Sequence, residues 1–169
     1  GCPKRRIMGK HAAGAKLMRD PATVGRIVAA AVRGANGKVP VTAKMRLGPS
    51  ITARTAPEVA RSAEANGAAA VTVHGRTADQ QYSIPSHLGM IAEVVKAVSI
   101  PVIANGDVRD GESALQTLRT TGAAGVMVAR AALTHPWIFR EIAAALRGEA
   151  IPAAPTPVSY THLRAHETS

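Results

Sequence analysis

The chain has 169 residues, 46% of them hydrophobic, so it can bury one core but falls short of the ~250 residues typical of a complete (β/α)8 barrel. Its one cysteine excludes an internal disulfide framework and makes a reducing cytoplasm the expected compartment; no apolar run approaches the ~20 residues of a membrane span, and no signal peptide is visible. The formal net charge is +10, and residues 1–19 hold Lys4, Arg5, Arg6, Lys10, Lys16 and Arg19 without an acid, a local excess that points to a polyanionic partner.

The sequence opens on Gly1-Cys2-Pro3 rather than on methionine, which suggests an excised or truncated piece. The basic run that follows, with Ala12-Ala13-Gly14-Ala15, is too small and charged for a core element and is read as a loop. Asp20-Pro21 then opens a helix, the acid as N-cap and proline at the first helical position. Its apolar stripe is Val24, Ile27, Val28, Ala31 and Val32, and Asn36-Gly37 ends it.

Residues 39–46 form the first predicted strand, with Lys44 and Arg46 on one face because side chains alternate. A helix over 55–66 follows, with Thr55 and Glu58 as a plausible capping box and Gly67 as its stop. Residues 69–73 are the second strand, ending in His74-Gly75-Arg76. A polar loop over 78–86 and a helix over 87–98 lead to Pro101-Val102-Ile103-Ala104-Asn105-Gly106-Asp107, an apolar run left through a tight polar turn. After a helix over 110–121, Gly125-Val126-Met127-Val128-Ala129-Arg130 repeats that design.

Strands thus recur about every 25 to 32 residues with helices between them, the period of βα units. Val39-Pro40-Val41 matches Ile100-Pro101-Val102, and Gly67-Ala68-Ala69-Ala70-Val71 matches Gly122-Ala123-Ala124-Gly125-Val126, as alternate barrel strands filling shared layers do. A last helix spans 136–147, with Trp137 and Phe139 expected to pack on the barrel. From 148 onward Pro152, Pro155 and Pro157 forbid regular structure; residues 148–169 are an unstructured tail whose final twelve residues, foreign in composition, resemble translated library-adapter sequence.

Lys44, Arg46, His74, Arg76, Asn105, Asp107 and Arg130 all fall at strand carboxyl ends, the face on which barrel active sites are built. The turn after the third strand and Arg130 after the fourth offer a phosphate cradle. This set suits a flavin mononucleotide, with cations near the ring and backbone amides on the phosphate. The same lysine also suits a Schiff base with a sugar, as in aldolases. Cys2, in a cationic neighbourhood, is a candidate proton donor or nucleophile, and equally a small buried apolar residue. No metal site is expected.

Gly1-Cys2-Pro3 with Arg6-Ile7 and Ala13-Gly14, Lys44-Met45-Arg46-Leu47-Gly48, Thr72-Val73-His74-Gly75-Arg76-Thr77, Ile103-Ala104-Asn105-Gly106-Asp107, and Gly125-Val126-Met127-Val128-Ala129-Arg130-Ala131-Ala132 with Pro136-Trp137-Ile138-Phe139 resemble the tRNA-dihydrouridine synthases, most nearly the bacterial B type. The resemblance runs in register from residue 1 to about 147. It implies the C-terminal half, strands five to eight, of an FMN-binding TIM barrel over 1–147. A helical tRNA-binding domain should follow, and the tail stands in its place. It also implies reduction of uridine to 5,6-dihydrouridine in tRNA with FMN and NADPH, an activity the piece alone is not expected to show. Cys2 is implied as the acid. Lys44, His74, Asn105, Gly106, Asp107, Ala129 and Arg130 are implied at the flavin. Arg46 and Arg76 fall near the uridine or its phosphate, with Lys4, Arg5 and Arg6 toward tRNA. The family usually has glycine at 129 and lysine at 6, so alanine sets a methyl group at the phosphate cradle while Arg6 keeps the charge. A small-molecule flavin oxidoreductase of the dihydroorotate dehydrogenase kind, and an inert RNA-binding fragment, are the alternatives.

Overall fold

The computed structural model describes residues 1–10 and 13–152. Its helices in chain order are α1 (Arg5–Lys10), a 3-10 segment (Gly14–Arg19), α2 (Pro21–Ala35), α3 (Ala56–Ala65), α4 (Leu88–Ala97), α5 (Gly111–Thr121), α6 (Arg130–Thr134) and α7 (Ile138–Arg147). Four strands, β1 (Thr42–Arg46), β2 (Ala70–His74), β3 (Val102–Asn105) and β4 (Gly125–Met127), form one sheet in that order. Every neighbouring pair is parallel, as the βα period predicts.

The register sorts the sheet into two faces. Met45, Val73, Ala104 and Val126 are successive Cα partners on one of them. The first three are 2%, 0% and 0% exposed within a core that also takes Val28 of α2, Val59, Ala60 and Ala63 of α3 and Ile91 and Val94 of α4. Val126 joins a second cluster, with Ala114 of α5 and Ile138 and Ile142 of α7. Burying a Val, Leu or Ile side chain is worth about 1.5–3 kcal/mol, so these helices are held to the sheet by this one face. The other face carries Lys44, Thr72, Ile103 and Gly125 in one row and Arg46, His74, Asn105 and Met127 in the next, nearer the carboxyl ends.

Several local expectations hold for the physical reason given. Asp20 Oδ1 accepts the Thr23 amide at 2.9 Å with Pro21 in the first turn, and Asn36 closes α2 in the left-handed region at φ 49°. Asp110 and Ser113 also form a reciprocal capping box that starts α5, a cap not among those expectations.

Others need correction. The segment before Asp20, expected as a loop, forms α1 and the 3-10 segment; the Ile7 and Met8 amides both donate to Lys4 O, at 2.9 and 3.0 Å. Arginine, methionine and lysine are good helix formers whatever their charge, and Ala15 and Met18 on the 3-10 segment are 1% and 3% exposed. Thr55 caps nothing with its side chain, because its hydroxyl donates instead to Met18 O at 2.6 Å and ties that segment to α3. The fourth strand ends at Met127, three residues before the predicted Arg130, which opens α6 instead. Phe139 is 57% exposed rather than packed on the sheet; Ile138 and Ile142 supply the buried face of α7. The tail is described only as far as residue 152; the rest of that expectation lies outside the described residues.

Candidate active site at the carboxyl ends of the strands

Arg46 is the Cα partner of His74, His74 of Asn105 and Asn105 of Met127, so one row across four strands delivers these side chains to a common rim. A cleft of about 770 Å³ opens there, within the range of small-molecule and cofactor sites. It is lined by Cys2, Lys44, Arg46, His74 and Arg76. Asn105, Gly106, Asp107, Ala129 and Arg130 are also part of its wall. Lys4 and Arg6 are exposed at α1 and do not line it, and Arg5 belongs to the same short helix.

The polar groups interlock. Asn105 Nδ2 donates to Met127 O at 2.9 Å, which turns its Oδ1 outward to accept from Lys44 Nζ, also at 2.9 Å. Lys44 is exposed in the cleft, yet desolvation of its ammonium group, with the Arg46 charge second, lowers its pKa from the ordinary lysine value. Arg46 is 5% exposed and donates through Nη1 to Thr77 O at 2.7 Å, pinning the loop after β2.

The turn after β3 is shaped by its backbone. Gly106 has φ 123°, and a Cβ there would lie 2.7 Å from Ser86 Oγ and 3.1 Å from His74 Cδ2, so a side chain fits neither the conformation nor the space. Asp107 follows in the left-handed region at φ 57°, which aspartate tolerates better than most residues. Its carboxylate accepts from Arg76 Nη2 at 2.6 and 2.8 Å, from Ser86 N at 2.9 Å and from Arg130 Nη2 at 3.2 Å. Burial opposes its charge, but the hydrogen bonds from Arg76 and Ser86 outweigh burial and hold the carboxyl below its usual range.

His74 is 8% exposed, and desolvation, followed by the charges of Arg46, Lys44 and Arg76, lowers its pKa to about 4. It is therefore a neutral imidazole near pH 7.

Cys2 reaches the cleft from outside the sheet. Its carbonyl accepts the Ala15 amide at 2.8 Å, and Gly14, at φ 60°, makes that contact possible: a Cβ on Gly14 would sit 2.5 Å from Cys2 O. Ala129, at φ −133°, lies outside the left-handed region that favours glycine, and it lines the cleft.

Tyr82 lines the cleft and was not singled out from the sequence. The Arg130 guanidinium carbon stands 4.3 Å from its ring centroid and that of Arg76 5.7 Å. Its signal was composition: in a chain with two tyrosines, one tryptophan and one phenylalanine, an aromatic eight residues past His74 in a polar loop is conspicuous.

The donor set fits a flavin mononucleotide. Lys44, Arg46 and Arg130 line the cleft around a single lining carboxylate, that of Asp107, and a neutral His74 and an oriented Asn105 stand among them. A cation-rich rim with one acid suits an anionic ligand that carries phosphate and carbonyl oxygens.

The family model described as Dihydrouridine synthase (Dus) matches residues 1–168. The chain is 46% identical over 153 residues to tRNA-dihydrouridine synthase B of Xanthomonas axonopodis pv. citri, covering 90% of this chain and 45% of that protein. It is 44% identical over 167 residues to tRNA-dihydrouridine synthase B of Pseudomonas aeruginosa, covering 98% and 49%. With a probable tRNA-dihydrouridine synthase of Rhodobacter capsulatus it shares 45% over 161 residues, covering 95% and 49%. The chain therefore spans about half the length of the curated relatives it matches. On the match along nearly its whole length, the chain belongs to the dihydrouridine synthase family.

Proposed function

We propose that this chain is the half of an FMN-type (β/α)8 barrel that holds strands five to eight, and that the complete protein reduces uridine to 5,6-dihydrouridine in tRNA at the expense of NADPH. The half-barrel reading, over residues 1–147, is supported by the sheet. All-parallel sheets are normally covered on both faces, whereas here the helices seal one face and Thr42 and Lys44 on the other are exposed. β1 and β4 are both open edges, which a closed barrel does not have. Coverage of 45% to 49% of the relatives agrees with that size.

The observation that carries the catalytic reading is the register row Arg46, His74, Asn105, with Lys44 two residues before Arg46 and Cys2 across the same cleft. Lys44, oriented by Asn105, would offer a cation to the ring of a flavin and Arg130 one to its phosphate, both residues lining the cleft. FMN, held by these residues, would supply the hydride for uracil C6, with NADPH as its reductant. The Cys2 thiol would give the proton to uracil C5, because its segment ahead of α1 lines the cleft without belonging to the sheet. Arg46 lies beside the uridine. Lys4, Arg5 and Arg6 would serve the tRNA backbone; in support, Lys4 and Arg6 are exposed and do not line the cleft. Among the described residues no helix is long and apolar enough to cross a membrane. A tRNA substrate and a free thiol make the cytoplasm the natural compartment.

Titration with FMN in a protein of the relatives' full length tests this reading. Tight binding with flavin absorbance, weakened about tenfold or more by Lys44→Ala, is expected; a protein that stays colourless in excess FMN would overturn it.

A further inference from the structure

Arg76 has no freedom to meet a substrate. It is 1% exposed, and its Nε donates to Ile84 O at 2.5 Å while Nη2 serves Tyr82 O at 3.2 Å and both oxygens of Asp107. A guanidinium has five N–H donors, and this arrangement leaves only the two on Nη1. Nη1 stands 3.3 Å from His74 Nε2. Arginine does not give up its proton and has no acceptor, so in this contact Nη1 is the donor and His74 Nε2 must carry the lone pair. A neutral imidazole with Nε2 as acceptor keeps its proton on Nδ1.

We infer that Arg76 is a positioning residue rather than a substrate contact: it fixes His74, which lines the cleft, as the neutral Nδ1–H tautomer, an uncharged N–H donor. The role of that donor toward an oxygen of a flavin rests on the proposed function; the tautomer itself does not.

The surroundings agree with this assignment. Besides Arg76, the groups that face His74 are Lys44 and Arg46 from β1, Asp107 from the turn after β3, and the Tyr82 ring with its centroid 6.3 Å away. Burial first, and then three cations against one carboxylate, disfavour an imidazolium, in keeping with the lowered pKa of His74. Arg76 cannot swing away without also releasing the Tyr82 and Ile84 carbonyls and its ion pair with Asp107, so one side chain ties the tautomer to the loop after β2. The consequence is chemical. A neutral donor can hydrogen-bond a carbonyl or phosphate oxygen beside Lys44 without adding a further charge to the site.

The test is 15N NMR of the histidine-labelled chain at pH 7, with the His74 signals identified by their loss in His74→Asn. The expected spectrum shows Nδ1 protonated and Nε2 bare; a protonated Nε2, or an imidazolium at that pH, would overturn the inference. In Arg76→Met the ratio should move toward the Nε2–H form that a free histidine side chain favours, and an unchanged ratio in the folded variant would show that Arg76 is not the cause. Whether or not that variant folds, the wild-type spectrum decides the tautomer, and a pair of His74 substitutions decides its use. In a protein of full length, His74→Asn sets an amide N–H near the Nδ1 position and His74→Gln near Nε2. FMN should bind His74→Gln about tenfold more weakly than His74→Asn, and the reverse order would overturn the donor role. Failure of the wild-type protein to bind FMN would instead remove the flavin reading and leave the tautomer to the NMR result.

Discussion

One guanidinium nitrogen of Arg76 spans both carboxylate oxygens of Asp107, at 2.8 Å to Oδ1 and 2.6 Å to Oδ2, and so joins the end of β2 to the turn after β3. Arg76 is 1% exposed and the Asp107 side chain 19%, so the pair lies largely out of water. Asp107 also accepts from Ser86 N at 2.9 Å and from the exposed Arg130 at 3.2 Å, so Arg76 is its shortest charged contact rather than its sole one.

Removing one side of such a pair leaves the other charge buried and uncompensated. Asp107→Asn keeps the size of the side chain and is expected to destabilise the fold by about 3 kcal/mol, the lower end for a broken buried pair because the carboxylate is partly wet. Urea unfolding reads this as a lower midpoint at unchanged slope. A midpoint equal to that of the wild type would show that the pair adds nothing net.

His74 sets a pH dependence. Its pKa is about 4 in the fold against about 6.5 in an unfolded chain, so between those values the unfolded state binds the extra proton. Stability associated with His74 is present above pH 6.5 and lost as pH falls toward 4, by roughly 3 kcal/mol in all. The measurable quantity is the difference in unfolding free energy between wild type and His74→Gln across that window. A difference that stays flat from pH 7 to 4.5 would contradict a buried neutral imidazole.

Gly106 carries the third expectation. With φ at 123° and Ser86 Oγ 2.7 Å from any added Cβ, Gly106→Ala combines backbone strain with a steric conflict and should cost about 1–3 kcal/mol. Because Asp107 is the next residue, the same change should also displace its hold on Ser86 N and weaken FMN binding. Normal thermal stability together with normal FMN affinity in this variant would remove the turn from the account.

Much of this arrangement was legible beforehand, and the reasons are local. The strands announced themselves because short β-branched runs alternate with capped helices, and parallel pairing then requires strand ends such as Arg46, His74 and Asn105 to meet. Asp20 could be read as a cap because its role involves only residues three apart. Thr55 could not, since its hydroxyl is claimed by Met18, 37 residues away, and nothing nearby in the chain signals that competition. The same limit hid Arg76. A strand-end arginine reads as a ligand group, and only the fold shows that Asp107, Ile84 and Tyr82 have already taken its donors. Helix α1 was missed for a different reason: charge was weighed as a sign of loop, although lysine and arginine are intrinsically good helix formers.

Cys2 is expected to act late in the reaction only. In a protein of full length, Cys2→Ala should leave FMN binding and flavin reduction by NADPH intact while turnover on tRNA falls by roughly 10² to 10⁴, the usual loss for a missing general acid. Rapid-mixing traces in which tRNA reoxidises the flavin of this variant at the wild-type rate would return Cys2 to a packing role.

The most direct test of uridine reduction in tRNA is an anaerobic spectroscopic cycle on the FMN-loaded protein of full length. NADPH should bleach the flavin band, and unmodified tRNA should restore it with formation of dihydrouridine. Free uridine or orotate should restore it far more slowly, and recovery with tRNA should slow steeply as salt is raised, because phosphate contacts release counterions. Recovery that is equally fast with orotate and indifferent to salt would contradict the tRNA assignment, and a flavin that tRNA leaves reduced would contradict the proposed reaction.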